Sequence, residues 1–291
     1  MEALARLAER YERMILHEET ELGHTYRFGS PTTAASPSSA WRRRRRSPSR
    51  IEPPLRPIWR RKIAGRVPWN DWIRTVEIEP SLYAADFSRL GEQIDTLLRS
   101  GARVFHFDVG DGHFVPPVTI GPIVLRSISA RIHEAGGAID CHLMVDNPAH
   151  HFDQIVQAGG DSITFHVEAA HDPAAVIRAA RERALQVGVA FSPETAPEAA
   201  AAAAAGADLV LCMSIHPGYS GQAFMPGALD RVRLLRQLVP QEMHVQVDGG
   251  IGLENVRQLH EAGADLLVAG TSIFGQGDLP RAYRGLVQAL A

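Results

Sequence analysis

The chain has 291 residues, 45% of them apolar, and a formal net charge of -3, a profile that fits a globular protein and excludes collagenous or wholly disordered classes. No stretch approaches the roughly eighteen apolar residues of a membrane span, and the opening MEALARLAERYERM lacks the apolar centre of a signal peptide, so the expectation is a cytoplasmic protein with no membrane partner. The two cysteines, Cys141 and Cys212, lie in apolar runs without metal-type spacing, which argues against a disulfide framework or a thiolate zinc site.

The first 75 residues are expected to form an extension. Leu4, Leu7, Tyr11 and Ile15 or Leu16 recur at helical spacing and predict a short amphipathic helix. From Gly29 the chain turns to PTTAASPSSAWRRRRRSPSRIEPPLRP, where proline, serine and like charge oppose a compact core and predict disorder. Residues 29–75 carry twelve basic and two acidic side chains, whereas 76–291 carry fourteen basic and twenty-five acidic ones. Five consecutive arginines could touch an anionic surface, but no interleaved aromatics accompany them, so a nucleic-acid partner is not expected.

From Val76 the pattern alternates strands with helices. Strands are predicted at 76–82, 103–109, 138–144, 162–166, 187–191, 208–213, 243–248 and 265–269, with helical runs such as 90–98, 124–132, 175–184, 232–238 and 256–260 between them. Several helices stop at glycine just before the next strand, as in SGARVFHF, QAGGDSITF, AAGADLVL and EAGADLLVA. Eight such units in 76–291 predict a single (β/α)8 TIM barrel, an α/β fold whose parallel strands are joined by right-handed crossovers.

Side chains alternate faces along a strand, so His106 and Asp108 point into the barrel while Phe105, Phe107 and Val109 point at helices. Ser81, His142 and Asp248 also stand near C-terminal strand ends, where barrel chemistry gathers. Two imidazoles and two carboxylates at one mouth suit a divalent ion such as zinc, manganese or ferrous iron. In DVGDGHFVPP, His113 and Phe114 are either pocket residues or, with Asp111, parts of a packed turn. Glycine-rich turns HPGYSGQ, DGG and AGTSIFG follow the last three strands, and their backbone N–H groups suit a phosphate. Lys62 is the only lysine, so the barrel has no amine for Schiff-base chemistry. The conjunction points to enediolate chemistry on a phosphorylated sugar, with one carboxylate on each face of the reacting carbon.

The segments IEPSLYAADFSRL, HFDVGDGHFVPP, DCHLMVDNP, TFHVEA, CMSIHPGYSGQAF, VQVDGGI and AGTSIF, in that order over 76–290, resemble the ribulose-phosphate 3-epimerase family. The resemblance implies interconversion of D-ribulose 5-phosphate and D-xylulose 5-phosphate in the pentose phosphate pathway and the Calvin cycle. It also implies one divalent ion (Zn, Fe(II), Mn or Co) and a homo-oligomer. Carried over by position, it makes His106, Asp108, His142 and Asp248 the metal ligands, with Asp108 and Asp248 also the acid and base. Ser81, His142, Met144 and Met213 would contact substrate, and Gly218, Gly221, Gly249, Gly250, Gly270 and Thr271 would hold its phosphate. Four departures stand near that site. Gly110 replaces a methionine, Pro117 an asparagine, Tyr219-Ser220 a Phe-Gly pair, and Thr271 a serine. Gly110 raises an alternative, a hexulose phosphate such as D-allulose 6-phosphate as substrate, if the lost methionine leaves room. A noncatalytic phosphate-binding barrel is the remaining reading.

Overall fold

The computed structural model describes residues 76–290, and the expected helix and basic segment of residues 1–75 lie outside the described residues. Eight parallel strands run in the order expected of a barrel: β1 (Glu77–Pro80), β2 (Val104–Gly110), β3 (Ala138–Met144), β4 (Ser162–His166), β5 (Gln186–Phe191), β6 (Leu209–Met213), β7 (His244–Asp248) and β8 (Leu266–Ala269). Neighbours pair in sequence from β2 to β8, and β8 pairs with β1. The ring closes through a parallel bridge between Ser81 and His106. This is the predicted (β/α)8 barrel. Strand β1 is shorter than its expectation because Pro80 has no amide hydrogen for the ladder and a 3-10 turn at Leu82–Ala84 leads the chain away.

The outer layer is α1 (Leu90–Arg99), α2 (Pro122–Glu134), α3 (Phe152–Ala158), α4 (Pro173–Glu182), α5 (Pro197–Ala203), α6 (Ala228–Leu238), α7 (Val256–Glu261), α8 (Thr271–Phe274) and α9 (Leu279–Ala289). Proline fills the first turn of α2, α4 and α5, where its missing N–H costs nothing. Gly159 ends α3 in the left-handed region, and a Cβ there would sit 2.7 Å from Ser129. The aspartate that follows such a stop has its own task. Asp161, Asp208 and Asp265 accept from the amides of Ile139, Val187 and Val245 on the preceding strand. The G-[AG]-D repeat therefore ends a helix and ties the next strand to its neighbour at the base of the barrel.

Alternation along the strands sorts the core into two layers. Phe105, Phe107, Cys141, Phe165, Val189, Val210 and Val247 are buried between strands and helices. Inside the ring, Val104, Ala190, Leu209, Leu211, Met213 and Leu266 form a separate apolar cluster. Other inward positions on β1, β2, β3, β4 and β7 carry buried polar groups: Glu77, Glu79, His106, Asp108, Asp140, His142, Ser162, Thr164, His166 and Gln246. A barrel interior is packed rather than hollow, so these groups must satisfy one another or a ligand.

Candidate active site

The inward parity of β2 brings His106 and Asp108 to the mouth, β3 adds His142, and β7 ends on Asp248. One donor atom from each of these four side chains can be chosen so that all lie within 4.8 Å of one another. Asp108 Oδ1 is 3.2 Å from His106 Nε2 and 3.1 Å from His142 Nδ1, and Asp248 Oδ2 stands 4.0 and 3.8 Å from the same nitrogens. The other Asp108 oxygen accepts from the Ser81 hydroxyl at 2.7 Å. His106 Nε2 is buried and, among the described residues, has no hydrogen-bond partner.

The surroundings push the two carboxylates apart in acidity. Burial works to raise Asp108, but the His106 charge beside it and the His142 contact outweigh it and hold Asp108 well below the usual range. Burial, reinforced by the Asp108 charge, pushes Asp248 up to about 7.

Beside the cluster opens a pocket lined by Ser81, Asp108, Met144, Met213, Gly218, Tyr219, Ser220, Gly221, Asp248, Gly249, Gly250, Gly270 and Thr271, together with Tyr83, Ile215, Ile251 and Val268. The residues expected to hold metal, substrate or phosphate line this pocket, except His106 and His142, which lie in the buried cluster beside it. The glycines are required by the backbone. Gly249 has φ 120, and a Cβ there would fall 2.3 Å from Ile215; at Gly250 it would fall 2.6 Å from the Phe224 amide nitrogen. Ser214 Oγ donates within this turn, 2.9 Å from the Asp248 carbonyl and 2.6 Å from that of Gly249. Among the described residues the amides of Gly250, Gly270, Thr271 and Ser272 find no acceptor, and no lysine or arginine lines the pocket.

His113 and Phe114 do not line it. Asp111 accepts from both their amides and from Asp146 N, which makes the packed-turn reading of this loop correct, and Phe114 packs on His166 with ring centroids 4.8 Å apart. Gly110 leaves no room either. A Cβ on Gly110 would lie 2.9 Å from the Pro117 carbonyl oxygen and 3.0 Å from both Thr119 and Val115, so the returning loop fills the space that the expectation left open.

Four buried polar groups, Glu79, Asp140, His166 and Gln246, and the exposed Glu168 beside them were not singled out from the sequence. Asp140 Oδ2 stands 3.0 Å from His106 Nδ1 and accepts from Gln246 Nε2, and its other oxygen accepts from Ser162. Glu79 accepts from the same Gln246 amide at 2.7 Å, and burial pushes its carboxyl up to about 7. His142 Nε2 meets His166 Nε2 at 2.9 Å, and His166 Nδ1 faces Glu168 at 3.2 Å. Burial pulls His166 down to about 4. Against the opposing effect of burial, hydrogen bonds from His166, Thr195 and Ser192 hold Glu168 down to about 2. The available signal was the period of two, since Glu79, Asp140 and Gln246 stand two residues before Ser81, His142 and Asp248 and so share their inward face.

An eight-stranded β/α barrel with ionisable side chains and unpaired amides at the C-terminal mouth defines a barrel enzyme. Residues 77–274 match the Ribulose-phosphate 3 epimerase family. Among curated relatives, the ribulose-phosphate 3-epimerase of Schizosaccharomyces pombe is 39% identical over 198 residues, covering 68% of this chain and 86% of the relative, and that of Escherichia coli K12 is 37% identical over 217 residues, covering 74% and 96%. The chain belongs to the ribulose-phosphate 3-epimerase family and is an isomerase of that family. Solved structures share the fold at lower identity. The 3-hexulose-6-phosphate synthase structure superimposes with a TM-score of 0.55 at 21% identity over 75% of this chain and 100% of the other. For orotidine 5'-phosphate decarboxylase from Pyrococcus horikoshii OT3 the values are 0.56 and 14%, over 73% and 98%. Among the described residues no helix is long and apolar enough to cross a membrane.

Proposed function

We propose that the protein interconverts D-ribulose 5-phosphate and D-xylulose 5-phosphate by two-base epimerisation at C3, with one divalent ion held by His106, Asp108, His142 and Asp248. The observation that carries this reading is the convergence of these four side chains on one point, with His106 Nε2 buried and unpartnered. Two imidazole nitrogens and two carboxylate oxygens suit zinc, ferrous iron, manganese or cobalt. When bound, the ion polarises the substrate carbonyl and its neighbouring hydroxyl and stabilises the enediolate charge.

The chain's own groups do the rest. Asp108 and Asp248 flank C3, and the ionised one removes its proton while the protonated one delivers a proton to the opposite face. The carbon is inverted, and the two carboxyls exchange protonation states, ready for the reverse substrate. Ser81, donating to Asp108, orients that carboxylate. Met144 and Met213, almost wholly buried, close the pocket floor against water. The unpaired amides at Gly250, Gly270, Thr271 and Ser272 receive the phosphate.

Pentulose is favoured over hexulose because the wall at Gly110 is occupied by the loop rather than open. The test is solvent deuterium incorporation at C3 of ribulose 5-phosphate together with formation of xylulose 5-phosphate, before and after stripping of divalent ions by a chelator. Turnover that survives complete stripping overturns the metal assignment, and the absence of xylulose 5-phosphate from ion-loaded protein overturns the reaction.

A further inference from the structure

We infer that Tyr83 is a phosphate-binding residue of this chain, its phenolic hydroxyl donating to the substrate's phosphate beside the unpaired amides of Gly270 and Thr271. The inference rests on the phosphate reading above and adds to it a side-chain donor that was not singled out from the sequence.

The backbone places the residue. Ser81 follows β1, its amide donating to the Ala269 carbonyl at 3.0 Å, and the 3-10 turn Leu82–Ala84 comes next. With three residues per turn, successive side chains of a 3-10 turn point in well separated directions. Leu82 is fully buried in the layer between strands and helices, so Tyr83 is turned away from that layer, and half-buried it lines the pocket. Ala84 fixes how near the turn comes to the phosphate end. A Cβ on Gly270 would lie 3.3 Å from the Ala84 Cβ, 3.4 Å from Ser220 Oγ and 3.8 Å from the Ser81 Cβ. Three segments therefore meet at Gly270: the exit of β1 that carries Tyr83, the loop after β6 and the start of α8.

Chemistry selects the ligand. Among the described residues the Tyr83 hydroxyl has no hydrogen-bond partner. A half-buried donor of this kind is satisfied by an acceptor that enters the pocket. No lysine or arginine lines the pocket among the described residues, so a phosphate dianion meets only neutral donors there. The Ser81 hydroxyl is committed to Asp108, and Tyr219, 55% exposed, can be served by water. A phosphate brings three strong acceptor oxygens, and a hydrogen bond to a charged oxygen is about twice as strong as one to a neutral hydroxyl.

The test titrates inorganic phosphate calorimetrically into the full chain stripped of metal, where no ion can take the anion, and sets the result beside turnover of the ion-loaded protein. In Tyr83→Phe, which keeps the ring and loses the hydroxyl, the dissociation constant for phosphate and the KM for ribulose 5-phosphate are each expected to rise about 10- to 150-fold, with kcat changing far less. Tyr83→Leu, which loses the ring as well, is expected to weaken phosphate by a similar factor. If either variant is less stable, the rise in melting temperature caused by added phosphate reads the same constant in the folded fraction. Wild-type phosphate affinity in Tyr83→Phe overturns the inference, whether or not KM rises, because the hydroxyl would then serve the sugar or the fold. Wild-type protein that takes up no phosphate sinks the phosphate reading itself.

Discussion

The Pro117 carbonyl oxygen lies 2.9 Å from the point where a Cβ on Gly110 would stand, and Thr119 closes the same space from the side at 3.0 Å. Thr119 also accepts from the Gly110 amide at 2.6 Å and donates to the Asp108 carbonyl at 2.8 Å, which pins the loop against the end of β2. Gly110 is therefore a point of close approach between two backbone segments. Gly110→Ala is expected to destabilise the fold by about 1–3 kcal/mol through overpacking, measured by urea denaturation. With no vacant wall, kcat/KM for ribulose 5-phosphate should exceed that for allulose 6-phosphate by at least about tenfold. Equal values for the two sugars would contradict the filled wall.

Asp108 and Asp248 differ in acidity because the imidazoles beside Asp108 outweigh its burial, whereas burial, reinforced by the Asp108 charge, raises Asp248. Replacing either carboxyl by its amide removes one of the two proton-transfer groups. Asp108→Asn and Asp248→Asn are each expected to lower kcat by about 10²–10⁴-fold. A coupled assay of xylulose 5-phosphate checks this, with metal content measured alongside.

Among the described residues the pocket proposed for phosphate has no cationic side chain, so every neutral donor matters there. Ser220 lines it, and its hydroxyl oxygen would lie 3.4 Å from a Cβ on Gly270, within the group of turns that carry unpaired amides. Removing a hydrogen bond to a charged group weakens binding by about 1.5–3 kcal/mol. Ser220→Gly is accordingly expected to raise KM about 10- to 150-fold with kcat nearly unchanged, and to raise the inhibition constant of inorganic phosphate in parallel. A fall in kcat at constant KM would remove Ser220 from ground-state binding.

Glu79 is fully buried, and burial lifts its carboxyl from 4.5 to about 7. Below pH 4.5 it is protonated in the folded and unfolded chain alike and carries no penalty. As the pH rises from 4.5 to about 7, the unfolded chain ionises first, so stability falls with pH over that window. Glu79→Gln should abolish this fall. In metal-stripped protein the variant is expected to gain on the order of 1–3 kcal/mol over wild type between pH 5 and pH 8. Denaturant titrations at the two pH values measure it, and an unchanged difference would show that Glu79 is ionised in the fold throughout.

The barrel was legible because its signals are local. A helix stop depends on one glycine that can take a positive φ, as at Gly159, and a strand's facing depends on a period of two, as at His106 and Asp108. The four mouth residues and the glycine turns could be placed on strand ends by those rules, and the family resemblance supplied their roles. The same period pointed at Glu79, Asp140 and Gln246 one layer deeper, but a single strand says nothing about what stands opposite.

By itself the sequence determined which side chains face the inside of the barrel, because facing is set by alternation within a few residues of each strand. Tertiary structure alone decided which of them meet. Gln246 bridges Glu79 and Asp140 from positions 167 and 106 residues distant, a contact made only by ring closure and strand stagger. The same holds for Gly110, where the volume lost with a side chain was reclaimed by a loop whose return path no local pattern records.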